Sequence, residues 1–200
     1  MTIDGFELYP ARLDPHDQAT LLAQVLAAVE AAPFYRPVTP GGRPMSVRMT
    51  NLGALGWTTD AAGYRYQATH PVTLAPWPPI PTLLIALWRG LGEMRADPDC
   101  CLVNHYDAEA RMGLHRDHDE ADFSFPVLSV SLGDSAVFRL GGTARRGPTG
   151  TVRLASGDVC RLAGPARLAY HGIDRVIAGS SRLLPEGGRI NLTLRRAAPL

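Results

Sequence analysis

His115 and Asp117 stand two residues apart, His171 follows 54 residues after Asp117, and Arg189 and Arg195 lie beyond it. Two imidazoles and one carboxylate on one face of an octahedral ferrous ion leave three positions open, enough for a bidentate co-substrate and dioxygen. A structural zinc site instead closes its shell with four protein donors. With 6 His and 13 Asp in 200 residues, a His-x-Asp spacing arises by chance about 0.4 times. The short motif gains weight only if its surroundings serve the same chemistry.

The strand pattern Arg189-Ile190-Asn191-Leu192-Thr193-Leu194-Arg195 is the first such surrounding. Period-two alternation puts Ile190, Leu192 and Leu194 on one face and Arg189, Asn191, Thr193 and Arg195 on the other. An edge strand with its polar side in water would show the same pattern. Asn104 and Tyr106, also two apart, precede His115, so two strands can aim amide, phenol and guanidinium groups into one cavity. Arginine forks bind carboxylates bidentately and stay charged when partly desolvated, which suits a small dicarboxylate.

Elements to hold these groups are readable on either side. Asp14 caps a helix with Pro15 in its first turn, and Leu21, Leu22, Val25, Leu26 and Val29 recur at helical spacing up to Pro33. A second helix starts near Pro81, buries Leu84, Leu87, Trp88 and Leu91, and ends by Gly90 or Gly92. Short alternating runs follow at 101–107, 126–132, 135–140, 150–154, 157–162, 166–171 and 189–195, separated by Gly, Pro and Asp turns. Many short strands at this spacing predict a mainly β fold with flanking helices, a sandwich or jelly roll. Residues 33–81 are rich in proline and carry Phe34, Tyr35, Trp57, Tyr64, Tyr66 and Trp77. They read as a loop-rich stretch, either a cover over the sheets or a substrate-gripping flap.

Composition narrows the class. A 200-residue chain that is 46% apolar and 20% charged is long enough for one globular domain with a full core. All 20 basic residues are Arg, and the formal net charge is +1, so affinity for nucleic acid must come from a local patch. One candidate spans Thr143 to Arg167, with Arg145, Arg146, Arg153, Arg161 and Arg167 against Asp158 alone, while residues 1–30 carry five acids against Arg12. Cys100, Cys101 and Cys160 form neither a CxxC pair nor an even framework and read as reduced and buried. No basic-then-apolar leader and no run of about 18 apolar residues is present, so a cytoplasmic protein off the membrane is expected.

Taken together, the residues resemble the AlkB-type Fe(II)/2-oxoglutarate dioxygenases, which reverse alkylation damage on nucleobases, and within them the bacterial branch. The resemblance runs through Thr39-Pro40-Gly41-Gly42, Met45-Ser46-Val47, Leu55-Gly56-Trp57-Thr58-Thr59, Gly63-Tyr64-Arg65-Tyr66, Asn104-His105-Tyr106, His115-Arg116-Asp117-His118-Asp119-Glu120, Tyr170-His171-Gly172-Ile173 and Arg189-Ile190-Asn191-Leu192-Thr193. It implies a double-stranded β-helix in one domain spanning 1–200, with 33–81 as a nucleotide-recognition lid and 82–200 as the catalytic core. By the same resemblance His115, Asp117 and His171 ligate Fe(II), while His118 alternates to the opposite side from Asp117 in an extended segment and is left outside the shell. Asn104, Tyr106, Arg189, Asn191 and Arg195 bind 2-oxoglutarate, Arg189 taking the far carboxylate with Tyr106, and Asn104 and Arg195 lying nearer the iron.

For the substrate, the resemblance implies Trp57 stacking on a flipped base opposite His115, Asp119 facing the cationic methylated ring, and Tyr64 and Arg145 on neighbouring phosphates. Asp119 within the run Asp119-Glu120-Asp122 also fits a solvated acidic surface. The expected reaction is demethylation of 1-methyladenine and 3-methylcytosine in DNA, preferably single-stranded, with RNA as a further substrate. It uses Fe(II), 2-oxoglutarate and O2 and releases formaldehyde, succinate and CO2, in a protein expected to act as a monomer. Two other classes stay open: a 2-oxoglutarate dioxygenase acting on RNA, protein or a small molecule, and a jelly-roll binding module that catalyses nothing.

Overall fold

Asp14 accepts a hydrogen bond from the Asp17 amide at 2.8 Å and Pro15 occupies the first turn, so helix α1 (Pro15–Ala31) begins where an N-cap and a preset φ coincide. Its buried residues are Leu21, Leu22 and Val25, while Leu26, expected on the same face, is 46% exposed. Helix α2 (Thr82–Leu87) starts after Pro81, buries Leu84 and Leu87, and runs on as a π-turn over Trp88–Gly92. The computed structural model describes residues 4–92 and 95–199. Among these, no helix is long and apolar enough to cross a membrane.

Twelve strands follow in chain order among the described residues. They are β1 (Phe6–Tyr9), β2 (Arg48–Gly53), β3 (Gly56–Asp60), β4 (Gly63–Gln67), β5 (Cys100–Tyr106), β6 (Met112–His115), β7 (Val127–Gly133), β8 (Ser135–Gly141), β9 (Thr149–Leu154), β10 (Val159–Leu162), β11 (His171–Ile177) and β12 (Arg189–Arg195). A six-stranded sheet has the order β1-β10-β7-β12-β5-β2, a four-stranded sheet the order β6-β11-β8-β9, and β3-β4 form a separate hairpin. Every pairing is antiparallel. This is the jelly roll expected from the strand spacing.

Alternation explains the layering. Cys101, Val103, Leu128, Val130, Leu132, Ile190, Leu192 and Leu194 pack with α1 and α2 on the outer face of the large sheet. Leu102, Tyr106, Val127, Cys160 and Leu162 face inward and share a second core with Ala136, Phe138, Leu140, Leu154, Ile173 and Val176 of the small sheet. Strand β12 is therefore an interior strand covered on both faces, not an edge strand in water: all seven of its residues are buried.

Three expectations are corrected. The stretch 33–81 is not wholly a cover, since β2 is paired along β5 in the large sheet. Its alternation was masked because Thr50 and Asn51 are fully buried and bond to main-chain groups, Thr50 Oγ1 to Ala32 O and the Asn51 amide to Trp57 N and O. The expected strand 166–171 is instead a 3-10 turn over Gly164–Ala166 followed by coil, and β11 begins only at His171. Residues 1–32, where only α1 was expected, also supply the strand β1 at the far edge of the large sheet.

Candidate metal centre and co-substrate cavity

The two histidines meet because β6 and β11 pair in register at His115 and His171, placing their ring centroids 4.5 Å apart. Gly172 permits this approach: a Cβ there would lie 2.5 Å from Met112 O and 2.9 Å from Gly113 O. Asp117 follows two residues after the end of β6, its Oδ1 3.9 Å from His115 Nε2 and its Oδ2 3.8 Å from His171 Nε2. The donor atoms of His115, Asp117 and His171 all lie within 4.8 Å of one another.

Several observations show that these residues fit a divalent ion. Each imidazole makes its second-nitrogen contact to a carbonyl, His115 Nδ1 to Gly113 O and His171 Nδ1 to Ala169 O, both at 2.9 Å, which leaves each Nε2 as the lone-pair donor. Asp117 Oδ2 is buried without a hydrogen-bond partner, an arrangement that costs free energy unless a ligand meets it. Burial pushes the Asp117 carboxyl upward, but Arg195, His171, His115 and Arg167 outweigh it and hold the group below the ordinary carboxylate range. Burial, reinforced by neighbouring His115, pulls His171 down to about 4, so its ring is neutral and free to ligate at physiological pH. His118 is exposed, 3.7 Å from Asp119 and outside the triad.

The triad opens into a cavity of about 550 Å³ that also takes in Trp57, Tyr64, Asn104, Tyr106, Asp119, Arg145, Arg189, Asn191 and Arg195. Strand β12 lies between β7 and β5, with Arg189 beside Tyr106 and Asn191 beside Asn104 in register. Arg189 is fully buried, donates Nη2 to Ser131 Oγ at 2.8 Å, and leaves Nε unpartnered. No carboxylate lies at ion-pair distance from it among the described residues. Burial pushes the Tyr106 phenol up to about 12, against the opposing pull of Arg189, so the hydroxyl remains a donor. Asn104 Oδ1 is also buried and unpartnered. Asn191 lines the cavity with its amide donating to Ser129 Oγ and Val130 O and its Oδ1 accepting from the Thr193 hydroxyl and the Asn104 amide.

On the hairpin side, Trp57 Nε1 donates to Asp119 Oδ2 at 2.8 Å, so Asp119 is engaged and only partly exposed. Tyr64 is stacked on Trp57 with ring centroids 5.6 Å apart, forming one aromatic wall with it. Arg145 is exposed at the rim. The five-arginine patch is partly dismantled: Arg161 pairs with Glu7 and Arg167 with Glu120, while Arg153 is exposed and donates only to the neutral Ser135 Oγ.

Glu120, Tyr66 and Arg167 appeared in the sequence only as parts of an acidic run, an aromatic stretch and a basic patch, and their meeting was not expected. Glu120 is 6% exposed and accepts from the Tyr66 hydroxyl at 2.5 Å and from Arg167 Nη2 at 3.0 Å. An acid run reads as surface, and the three partners come from separate elements, so no spacing announces them.

A family model described as the 2OG-Fe(II) oxygenase superfamily matches residues 5–195. The alpha-ketoglutarate-dependent dioxygenase AlkB homolog of Caulobacter vibrioides is 60% identical over 195 residues, which is 98% of this chain and 89% of the relative. The alpha-ketoglutarate-dependent dioxygenase AlkB of Escherichia coli is 42% identical over 181 residues, 88% of this chain and 83% of the relative. The solved structure of OsALKBH1 superposes with a TM-score of 0.82 at 30% identity, covering 98% of this chain and 99% of that one. Near-complete coverage at such identity, over a cavity that already demands a divalent ion and an anion, places the chain in the AlkB-type family of Fe(II)/2-oxoglutarate dioxygenases.

Proposed function

We propose that this dioxygenase demethylates N-alkylated bases, 1-methyladenine and 3-methylcytosine, in DNA, with single strands preferred and RNA as a further substrate. The observation that carries the proposal is the wall of Trp57, Tyr64 and Asp119 opening onto the same cavity as His115, Asp117 and His171. A flat aromatic face and a carboxylate suit a flat, cationic ring. Methylation on the pairing edge confers that charge and removes normal pairing, so a damaged base is cheaper to extrude. Extrusion costs a few kcal/mol and one aromatic face returns roughly 1 to 3 kcal/mol, so the wall can offset much of the cost.

In this reading His115 Nε2, Asp117 Oδ2 and His171 Nε2 hold the ferrous ion. Arg189 and the Tyr106 hydroxyl bind the far carboxylate of 2-oxoglutarate, while Asn104 and Arg195 border its metal-bound end. When bound, Fe(II), 2-oxoglutarate and O2 supply an oxidation that hydroxylates the N-methyl group, so that the hemiaminal releases formaldehyde and succinate and CO2 are co-products. Asp119, fixed through Oδ2 by Trp57, turns Oδ1 toward the positive ring and its exocyclic amine. Arg145 steadies a neighbouring phosphate, and the β3-β4 hairpin serves as the lid.

Iron-loaded protein incubated with a 1-methyladenine oligonucleotide, 2-oxoglutarate and O2 is expected to restore adenine and release one formaldehyde per succinate. Persistence of the methyl mark while 2-oxoglutarate is consumed would sink the nucleobase assignment and favour another substrate class.

A further inference from the structure

A buried fork is left incomplete beside the metal triad. Arg195 Nη2 donates to Asp117 Oδ1 at 2.7 Å, yet Arg195 Nε and Asp117 Oδ2 are both buried without a hydrogen-bond partner. Guanidinium and carboxylate frequently close a two-bond fork, which would satisfy both atoms. On the other side of Arg195 stands Glu120, its Oε1 3.5 Å from Arg195 Nε. The same oxygen accepts from the Tyr66 hydroxyl, whose oxygen in turn lies 3.4 Å from Arg195 Nη1. Glu120 Oε2 takes Arg167 Nη2, and Arg167 Nη1 holds the Asp117 main-chain oxygen at 2.8 Å. Glu120 and Asp117 are thus tied to the same two arginines.

Buried ion pairs roughly break even on stability, so a second buried carboxylate here calls for another reason. We propose that Glu120 is a positioning residue that draws Arg195 away from a fork on Asp117 and so keeps Asp117 Oδ2 free for the metal. Glu120 acts only through Arg195 and Arg167. Without its charge, Arg195 closes on both oxygens of Asp117, and the metal must compete with a guanidinium for its ligand. The proposal rests on Asp117 being a metal ligand.

Mn(II) alone, titrated into the full chain and followed by the paramagnetic resonance signal of the free ion, tests it. Glu120→Gln removes the charge at nearly constant shape, and the Kd for Mn(II) is expected to rise about ten-fold or more, as for other groups that orient metal ligands. Adding Arg195→Lys, whose ammonium cannot fork, is expected to recover much of that loss, whereas a purely structural role predicts further weakening. Glu120→Asp keeps the buried charge, and so the fold, but withdraws it from Arg195, and about a three-fold loss is expected even if the glutamine variant does not fold. Asp117→Asn is the control for the ligand itself: Mn(II) binding retained there overturns both assignments. Loss of binding in Asp117→Asn together with Kd values within about two-fold of the unmodified chain in both Glu120 variants overturns the role of Glu120 alone. A double variant no tighter than Glu120→Gln does the same.

Discussion

Arg189 is the residue whose presence is hardest to justify by folding. A guanidinium at 0% exposure, with only Ser131 Oγ at 2.8 Å and Asp134 O at 3.5 Å as acceptors among the described residues, bears a desolvation cost that no carboxylate among them repays. An anionic co-substrate repays it on binding. Arg189→Met is therefore expected to raise the KM for 2-oxoglutarate on the order of 100-fold, the loss typical of a desolvated charge pair. The same change should leave the melting temperature of the ligand-free protein unchanged or higher. Thermal unfolding with and without 2-oxoglutarate separates the two effects; a lower melting temperature with KM unaltered would mean that Arg189 serves the fold. His115, Asp117 and Arg189 stood out in the sequence because a two-residue spacing of ligand types and a period-two strand are local patterns, whereas His171, 54 residues beyond Asp117, was reached only through the family resemblance. Glu120 was not legible, since its burial depends on Tyr66, Arg167 and Arg195, three residues brought together only by the fold.

The β3-β4 hairpin belongs to neither main sheet, yet it is secured at several points. The Asn51 side chain holds both main-chain groups of Trp57, Thr59 Oγ1 donates to Val38 O, Trp57 reaches Asp119 and Tyr66 reaches Glu120. These contacts approach the mouth of the cavity and not the Arg189 end. Trp57→Ala is accordingly expected to raise the KM for a methylated oligonucleotide while sparing the slow turnover of 2-oxoglutarate without substrate. Equal loss of both would show that the hairpin supports the metal centre and not substrate. At this scale the legible elements were those with clean signals: α1 with its Asp14 cap, α2, and the alternating runs that became β5, β7, β8, β9, β10 and β12. Strands β1, β2, β3, β4 and β6 escaped notice because they are short, lie among prolines and glycines, or bury polar residues such as Thr50 and Asn51 that bond internally.

For the molecule as a whole, a net charge of +1 gives no long-range field to hold a polyanion, and the folded chain spends two arginines of its apparent basic patch on its own carboxylates. The acidic N-terminal stretch contributes to this: strand β1 pairs with β10, which sets Glu7 against Arg161. Arg145 and Arg146 remain exposed and have no partner among the described residues. With Arg145 at the cavity rim and Arg146 beside it as the phosphate contacts, about two phosphates are neutralised, so the logarithm of the binding constant for a methylated single strand should fall with the logarithm of salt at a slope of about −1.4. All five arginines of the patch would give about −3.5. Replacing Arg145 and Arg146 by alanine should bring the slope close to zero with the base contacts intact, as fluorescence anisotropy across a salt series would register. A steep slope that survives this double replacement would mean that the strand follows a different track over the surface. Affinity resting on two phosphates and one extruded base makes lesion-free strands weak competitors, which suits an enzyme that must find rare methylated positions among many normal ones.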